Sequence, residues 1–214
     1  MRIDHVSYAA SHNQISDVVQ RIGSRLGSTI VDGGIHPRFG TRNFILPLKG
    51  QQYIEIVCPL EHPASLQTPF GQMVSKKAEE GGGWLAWVIA TDDISKIEER
   101  IGRRAVNSHR IKPDGNELKW KQLGIKETME DSQLPFFIEW ESRSHPSSEY
   151  SNNLEITKID ISGQANIVYE WVSKDFSQIK SNIEFEWHRP ESSDGFTGIL
   201  GITFSSNLGL VYLD

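Results

Sequence analysis

Alternating apolar and polar positions near the N-terminus predict a strand that runs directly into a helix. Residues 3–9 alternate in this way, so an extended chain would place His5 on the more polar of its two faces. Apolar residues then recur at helical spacing over residues 15–26. The same order, a short strand and then an amphipathic segment, returns at residues 83–101 and 154–172. We therefore expect three units that begin alike.

Each predicted helix is followed by further strands, which indicates an α+β fold. In the first unit, the strands at residues 41–48 and 52–58 form a predicted hairpin. A polar stretch that begins at Ser142 marks a boundary. The expected organisation is a first domain over residues 1–142 with βαβββ modules at 1–60 and 83–141 and a connector at 61–82, a linker at 143–153, and a third, partial module at 154–214.

Charge and composition restrict the expected partners. The chain has 22 basic and 28 acidic residues, and a net charge of -6 argues against nucleic-acid binding. The longest apolar run, Trp84 to Ala90, is too short to span a bilayer, and no basic block suits a membrane surface. Cys58 is the only cysteine, and no leader pattern precedes the first strand, so we expect a cytoplasmic protein. The expected partner is a small-molecule ligand, with a homodimer as an option.

A motif in the first module carries a resemblance to a known family. The motif is Gly33-Gly34-x-His36-Pro37-x-x-Gly40-Thr41-x-Asn43, followed by Gln52-Tyr53-Ile54-Glu55-Ile56. Together with the repeated βαβββ order, it resembles the vicinal oxygen chelate superfamily (glyoxalase I, extradiol dioxygenases and bleomycin-resistance proteins). More narrowly, it resembles the glyoxalase-like domain group over residues 2–142. One departure is Arg42, where that group often has His.

The resemblance implies a paired architecture and a metal site. In the superfamily, two modules close a U-shaped mixed sheet around a cleft, and the first and last strands of each module supply metal ligands. Carried over by pattern, those positions are His5, Glu55, Trp84 and Glu139. An indole has no lone pair for a metal, so His5, Glu55 and Glu139 form an incomplete candidate set for a divalent ion. The alternative is a metal-free cleft in which these groups bind one another or a ligand.

The same face assignment gives further candidate site residues. Glu55 and Glu139 are candidate catalytic groups, because two facing carboxylates would raise the pKa of one of them and make it a base. His36, Asn43 and Trp84 are candidate substrate-binding residues. For each of these three a plainer interpretation remains open: His36 exposed in a turn, Asn43 stabilising the strand, and Trp84 a wall residue.

The expected function is therefore glyoxalase-like: the protein acts on, or binds, a small carbonyl- or hydroxyl-bearing molecule in the cleft between modules. Whether it is an enzyme stays open. A lyase, isomerase or dioxygenase-type member is one option, and a non-catalytic binder that sequesters a drug or metabolite without metal is the alternative. A structural or partner-binding role is favoured only if the third module fills the cleft. Fold resemblance alone does not choose, because one fold hosts many chemistries.

Overall fold

The structure is a computed structural model that describes residues 1–148, 153–172, 179 and 182–214. It confirms the predicted α+β class, with an eight-stranded barrel and a separate four-stranded sheet. The barrel and its helices consist of β1 Arg2–Ala9, α1 Ile15–Leu26, β2 Val31–His36, β3 Thr41–Leu48, β4 Gln52–Pro59, α2 Pro69–Glu79, β5 Gly83–Ala90, α3 Ser95–Ile101, β6 Val106–Ile111, β7 Glu117–Leu123, α4 Ile125–Glu130 and β8 Phe136–Trp140. The rest consists of β9 Glu155–Ser162, α5 Ala165–Val172, β10 Glu184–His188, β11 Gly198–Ser206 and β12 Gly209–Leu213, with 3-10 turns at Pro63–Leu66 and Pro190–Ser193.

The first sheet closes completely, in the order β1-β4-β3-β2-β6-β7-β8-β5. The expected open, U-shaped sheet is therefore wrong. Its two halves have the predicted order of one strand, one helix and three strands, and α4 is added between β7 and β8. The halves meet along β1 and β5, and again where Ile35 of β2 lies opposite Ile111 of β6.

A glycine makes the second seam possible. Gly34 has a φ of 102°, and a Cβ at this position would lie 1.9 Å from the carbonyl oxygen of Ile111. Only glycine combines that backbone conformation with so close an approach of another strand. The Gly33-Gly34 pair of the sequence motif thus lies where the barrel closes.

Two apolar clusters divide the molecule into an inside and an outside of the barrel. The inner cluster includes Phe39, Phe70 and Phe136, whereas the outer cluster packs the barrel against α1, α3 and the second sheet. Trp84 belongs to the outer cluster: its ring stacks on Phe204, with centroids 6.4 Å apart, and its Nε1 donates to the carbonyl oxygen of Leu213 at 3.1 Å. The prediction that Trp84 lines the cleft is wrong.

The reason is a change of register between β1 and β5. Ser7 pairs with Ala86, but the next residue, Tyr8, pairs with Trp84, so Leu85 is an extra residue in its strand. Leu85 and Ala86 both join the inner cluster, and Trp84 is turned outward. Such a bulge breaks the strict alternation on which a face assignment from sequence depends.

The third unit has the predicted order of elements but a different pairing. Its sheet runs β10-β9-β11-β12, with β9 parallel to β10 and antiparallel to β11. In the barrel, β1 instead pairs with the last strand of its own half.

The division into domains stays a prediction, and residues 149–152 of the predicted linker lie outside the described residues. Within the described part of the chain, no helix is long and apolar enough to cross a membrane.

Candidate functional site

A narrow cavity inside the barrel collects most of the candidate residues. Its volume is about 30 Å³. Among its walls are His5 from β1, His36 from β2, Asn43 from β3 and Glu55 from β4. The other lining residues are Phe39, Tyr53, Phe70, Arg110, Trp120, Gln122, Phe136, Ile138 and Trp140. The first half thus supplies the carboxylate and both histidines, and the second half adds Arg110 and Gln122 beside apolar and aromatic side chains.

Glu55 lies at the centre of the polar side. Its Oε2 accepts a hydrogen bond from Ser7 Oγ at 2.8 Å, and its Oε1 accepts one from Asn43 Nδ2 at 2.7 Å. The Nε2 atoms of His5 and His36 each lie 3.9 Å from the carboxylate. Burial raises the pKa of Glu55, but the two histidines and the two hydrogen bonds together outweigh it and lower the pKa below its usual value. Glu55 is therefore an ionised carboxylate at neutral pH.

His5 is oriented by the residue that precedes it. A bulge in the pairing of β1 with β5, between Ile3 and His5, makes Asp4 the extra residue and turns it towards the same side as His5. Asp4 Oδ2 lies 2.9 Å from His5 Nδ1, which fixes the proton on that nitrogen and leaves Nε2 towards Glu55. The His5 ring also stacks on Tyr53, with centroids 4.4 Å apart.

His36, Asn43 and Arg110 form the other edge of the polar side. His36 Nδ1 lies 2.9 Å from Thr41 Oγ1, and its Nε2 lies 3.4 Å from Asn43 Nδ2. Asn43 Oδ1 accepts a hydrogen bond from Arg110 at 3.3 Å, so this amide joins the carboxylate of Glu55 to a guanidinium that is only 4% exposed. Burial lowers the pKa of His36 to about 4, although the charge of Glu55 opposes the shift. His36 is neutral at pH 7.

Neutral burial of His36 predicts a pH dependence of stability. The pKa is about 4 in the folded protein and about 6.5 in the unfolded chain, so between these values the unfolded chain binds more protons. Protonation of His36 in the unfolded chain should then lower the free energy of unfolding by about 3 kcal/mol as pH decreases from 6.5 to 4. Urea denaturation of wild type and His36→Gln across this range measures the difference. The same curve for His12→Gln, which removes an exposed histidine, is the control, and a parallel loss in all three proteins would contradict the assignment.

Glu139 does not face the cavity. It lies on the outer face of β8, where its Oε2 accepts the backbone N–H of Ile94 at 2.7 Å, just before α3, and its Oε1 lies 3.4 Å from Lys121 Nζ. Phe136, Ile138 and Trp140 occupy the inner face instead. The prediction that Glu139 shares one cavity with His5 and Glu55 is wrong. The expected repulsion between two facing carboxylates is also absent, which agrees with the lowered pKa of Glu55.

Comparison of the sequence with protein-family models assigns the chain to a family. The model of the family described as "Glyoxalase-like domain" matches residues 3–174. The chain belongs to the glyoxalase-like domain family. This match confirms the resemblance inferred from the glycine-rich motif and the order of strands. The search of curated proteins gives no match.

Several solved structures are similar to this glyoxalase-like chain at low sequence identity, and the first of them shares its fold. A hypothetical protein from Staphylococcus aureus has a TM-score of 0.63 and 18% identity, over 88% of this chain and 86% of that one. Methylmalonyl-CoA epimerase from Mycobacterium tuberculosis has a TM-score of 0.44 and 15% identity, over 65% and 86%. A Streptomyces coelicolor methylmalonyl-CoA epimerase variant bound to 2-nitronate-propionyl-CoA has a TM-score of 0.45 and 16% identity, over 68% and 96%. At these identities the likeness describes the fold alone.

The barrel cavity of this glyoxalase-like domain is a poor fit for a resident divalent ion. Glu139 lies outside it, and the strands of the second half supply no carboxylate or imidazole to its wall. Among the described residues, one atom each from His5, His36 and Glu55 cannot be chosen so that all three lie within 4.8 Å of one another. A shared ion would need shorter separations, since Zn–N and Zn–O bonds are about 2.0–2.2 Å long. The polar side chains of the cavity are therefore the candidate chemical groups in the barrel.

A different group of side chains comes close enough, on the outer face of the second sheet. Single ligand atoms from Asp160, Glu186 and His188 all lie within 4.8 Å of one another. Register explains this closeness, because Glu186 pairs directly with Asp160. However, Lys158 Nζ lies 3.2 Å from Asp160 and 2.6 Å from Glu186, so an ammonium group already takes the place between the carboxylates. The third module thus carries three side chains at metal-ligand spacing, and Lys158 offsets one of their two negative charges.

Several residues of the barrel cavity were not found from sequence. Arg110 and Gln122 lie in β6 and β7, whose alternation is weak, and Asp4 was assigned to no site because strict alternation turns it away from His5. His145, in the polar stretch after β8, is also buried, with Nε2 3.1 Å from Asp4 Oδ1. The adjacent Asp4-His5 pair was the available signal, since a carboxylate commonly orients a functional imidazole.

Proposed function

We propose that this glyoxalase-like protein is an enzyme that moves a proton at a carbon atom next to a carbonyl group. The observation that carries the proposal is the Glu55 carboxylate: it is buried, ionised and held by Ser7 and Asn43 in a cavity that also contains the Arg110 guanidinium. A buried charged group held ready in a cleft is typical of catalytic sites rather than of plain binding walls. Because the cavity contains both an acceptor and a cation, it suits acid–base chemistry.

Each polar group would have a distinct part in this reaction. Glu55 takes the proton from carbon, and negative charge then develops on the carbonyl oxygen of the substrate. Arg110, whose guanidinium reaches Asn43 Oδ1 at 3.3 Å, stabilises that charge. Gln122 supports it with its amide N–H groups, since its Oε1 is already used by Trp120 Nε1 at 3.0 Å. A lowered pKa makes Glu55 a weak base, so this charge stabilisation must supply much of the driving force.

Size limits which part of a substrate enters the barrel. A volume of about 30 Å³ accommodates a group of a few atoms, whereas pockets for drug-sized ligands typically measure about 300–1,000 Å³. The reactive carbon and its carbonyl would fit, and the rest of the molecule would lie outside. The same size argues against sequestration of a whole aromatic drug inside the barrel.

Exchange of substrate hydrogen for deuterium tests the proposal. The purified protein is incubated in D2O with a panel of 2-oxoaldehyde–thiol adducts, 2-oxoacids, catechols and aromatic antibiotics, and loss of the C–H signal is followed by proton NMR. We expect exchange next to a carbonyl in at least one compound, and exchange should continue after treatment with a metal chelator. Loss of exchange on chelation, restored by a divalent ion, would mean that the reaction needs a metal and would contradict the proposal that the side chains act without one.

The alternative is a binder without catalysis. It is favoured by a larger cavity next to the barrel, with a volume of about 250 Å³. Saturable binding of a panel member with no exchange at any position would support this second function, and neither binding nor exchange would contradict both. We place either activity in the cytoplasm, because a single buried cysteine suits a reducing compartment.

A further inference from the structure

The larger cavity lies directly beside the barrel cavity. Phe39, Phe70 and Gln122 line both cavities, so these side chains lie between them. The end of β2 and the turn that follows contribute to both, with His36 in the barrel cavity and Arg38 in the outer one. A molecule whose reactive end lies near Glu55 would therefore extend into the outer cavity.

The walls of the outer cavity are basic. Four cationic side chains line it, and none of its described lining residues is acidic; the cations are Arg38, Arg103, Arg104 and Lys126. The chain as a whole has a net charge of -6, so this wall departs from the average surface. A concave basic wall of this kind attracts anions and raises their local concentration.

Two of the four cations are paired from outside the cavity. Arg103 donates to Glu127, and Arg104 NH1 donates to Glu98 Oε2 at 2.9 Å. Neither glutamate belongs to the cavity wall. These two pairs hold the guanidinium groups in place but leave little net charge.

The other two cations have no carboxylate partner among the described residues. Arg38 donates one hydrogen bond to the backbone oxygen of Asn107 at 3.0 Å, which positions its guanidinium without neutralising it. Lys126 is exposed at the start of α4 and makes no ion pair in the described part of the chain. The cavity thus retains about two uncompensated positive charges.

Gln122 provides an independent sign that a polar ligand passes between the two cavities. Its side chain is buried, with 7% exposed, and lines both cavities. The indole N–H of Trp120 can only donate, so the atom it contacts must be the amide oxygen of Gln122. The amide nitrogen then has two N–H groups and no hydrogen-bond partner among the described residues. The nitrogen is reached from the cavity side rather than sealed inside the protein, so a ligand oxygen there can accept its hydrogen bonds.

We infer that the outer cavity binds the anionic part, phosphate or carboxylate, of the molecule whose reactive group enters the barrel. The inference rests on the proposed function only for this connection, since anion binding by the outer cavity can be measured by itself. Arg38 and Lys126 supply the charge, and Gln122 contacts an oxygen atom at the junction. Guanidinium groups recognise phosphate and carboxylate oxygens through paired N–H donors.

Calorimetric titration with simple anions tests this inference. Inorganic pyrophosphate, succinate and a neutral polyol of similar size are titrated into the full chain at low ionic strength. We expect pyrophosphate or succinate to bind with a dissociation constant of about 1 mM or below, and the polyol not to bind. The stronger of the two anions tells whether phosphate or carboxylate is the preferred group. Arg38→Ala/Lys126→Ala should weaken binding by about tenfold or more.

A matched double variant distinguishes the cavity from general surface charge. Lys76→Ala/Lys96→Ala also removes two positive charges, but from exposed positions outside the cavity. It should leave anion binding unchanged. Equal weakening in both double variants, or no anion binding by wild type, would overturn the inference. Glu55→Gln should retain anion binding, because Glu55 does not line the outer cavity. If wild type shows no exchange but still binds anions, the proposed function is contradicted and the anion site is supported.

Discussion

Glu55→Gln is expected to lower the rate of deuterium exchange by about 10²–10⁴-fold, the usual contribution of a general base. Glutamine has almost the same shape and can still accept the hydrogen bond from Ser7 or Asn43, but it cannot take a proton at neutral pH. The rate constant for exchange, measured by NMR at saturating substrate, should fall while the affinity for substrate changes little. The free energy of unfolding, measured in urea, should fall, because the folded state favours the ionised form of Glu55, so exchange rates are compared where both proteins are fully folded.

Glu139→Gln is the matched control, because it makes the same chemical change on the outer face of β8. There the carboxylate accepts the backbone N–H of Ile94 and contacts Lys121, at a distance from the cavity wall. Its loss should affect stability modestly and leave the exchange rate unchanged. Equal loss of exchange in the two variants would mean that the chemistry does not depend on Glu55. An unchanged rate in Glu55→Gln would lead to the same conclusion.

Alternation predicted the order of strands and helices well, because most strands of this chain have one face towards an apolar core. It also placed His5 and Glu55 on the polar faces of their strands, and the structure brings both into one cavity with His36 and Asn43. The glycine-rich motif was informative for a physical reason. Gly34 allows β2 to approach β6 closely, and the same strand ends at His36 in the cavity wall.

The wrong face assignments of Trp84 and Glu139 have two causes. Either the strand contains a bulge that interrupts the alternation of its side chains, or both faces of the strand are apolar. An extra residue in β5, Leu85, turns Trp84 outward, and no pattern in the sequence marks that bulge. In β8, aromatic residues lie on both faces, and the apolar face with Phe136 turned out to line the barrel. A sequence can show that two faces differ, but which face is enclosed depends on what packs against it.

The cationic half of the site was missed for a different reason. Arg110 and Gln122 lie in β6 and β7, where many of the neighbouring residues are charged and exposed. In sequence, both strands therefore resemble surface strands. They become buried only because β6 pairs with β2 and closes the barrel. Such a contact joins residues more than 70 positions apart, and nothing local in the sequence indicates it.

Asp4→Ala is expected to destabilise the protein by about 3–5 kcal/mol, the range for removing one partner of a buried charged network. The Asp4 carboxylate is fully buried and accepts contacts from four donors: Arg2 NH1 at 2.5 Å, His5 Nδ1 at 2.9 Å, and His145 Nε2 and Trp140 Nε1 at 3.1 Å. Alanine would leave these donors without a partner in a place that water reaches poorly. Urea denaturation at pH 7 measures the loss.

Asp4→Asn separates the charge of this carboxylate from its shape. An asparagine has nearly the same volume, but one of its two terminal atoms is an NH2 group, which would face either His5 Nδ1–H or the donors on the other side. We therefore expect a loss of stability close to that of the alanine variant, since donor would meet donor. Asp114→Ala, at an exposed turn, should change stability little and serves as the control. If Asp4→Asn retained wild-type stability, burial of a neutral polar group would be sufficient at this position, and Asp4 would not be what fixes the proton on His5 Nδ1.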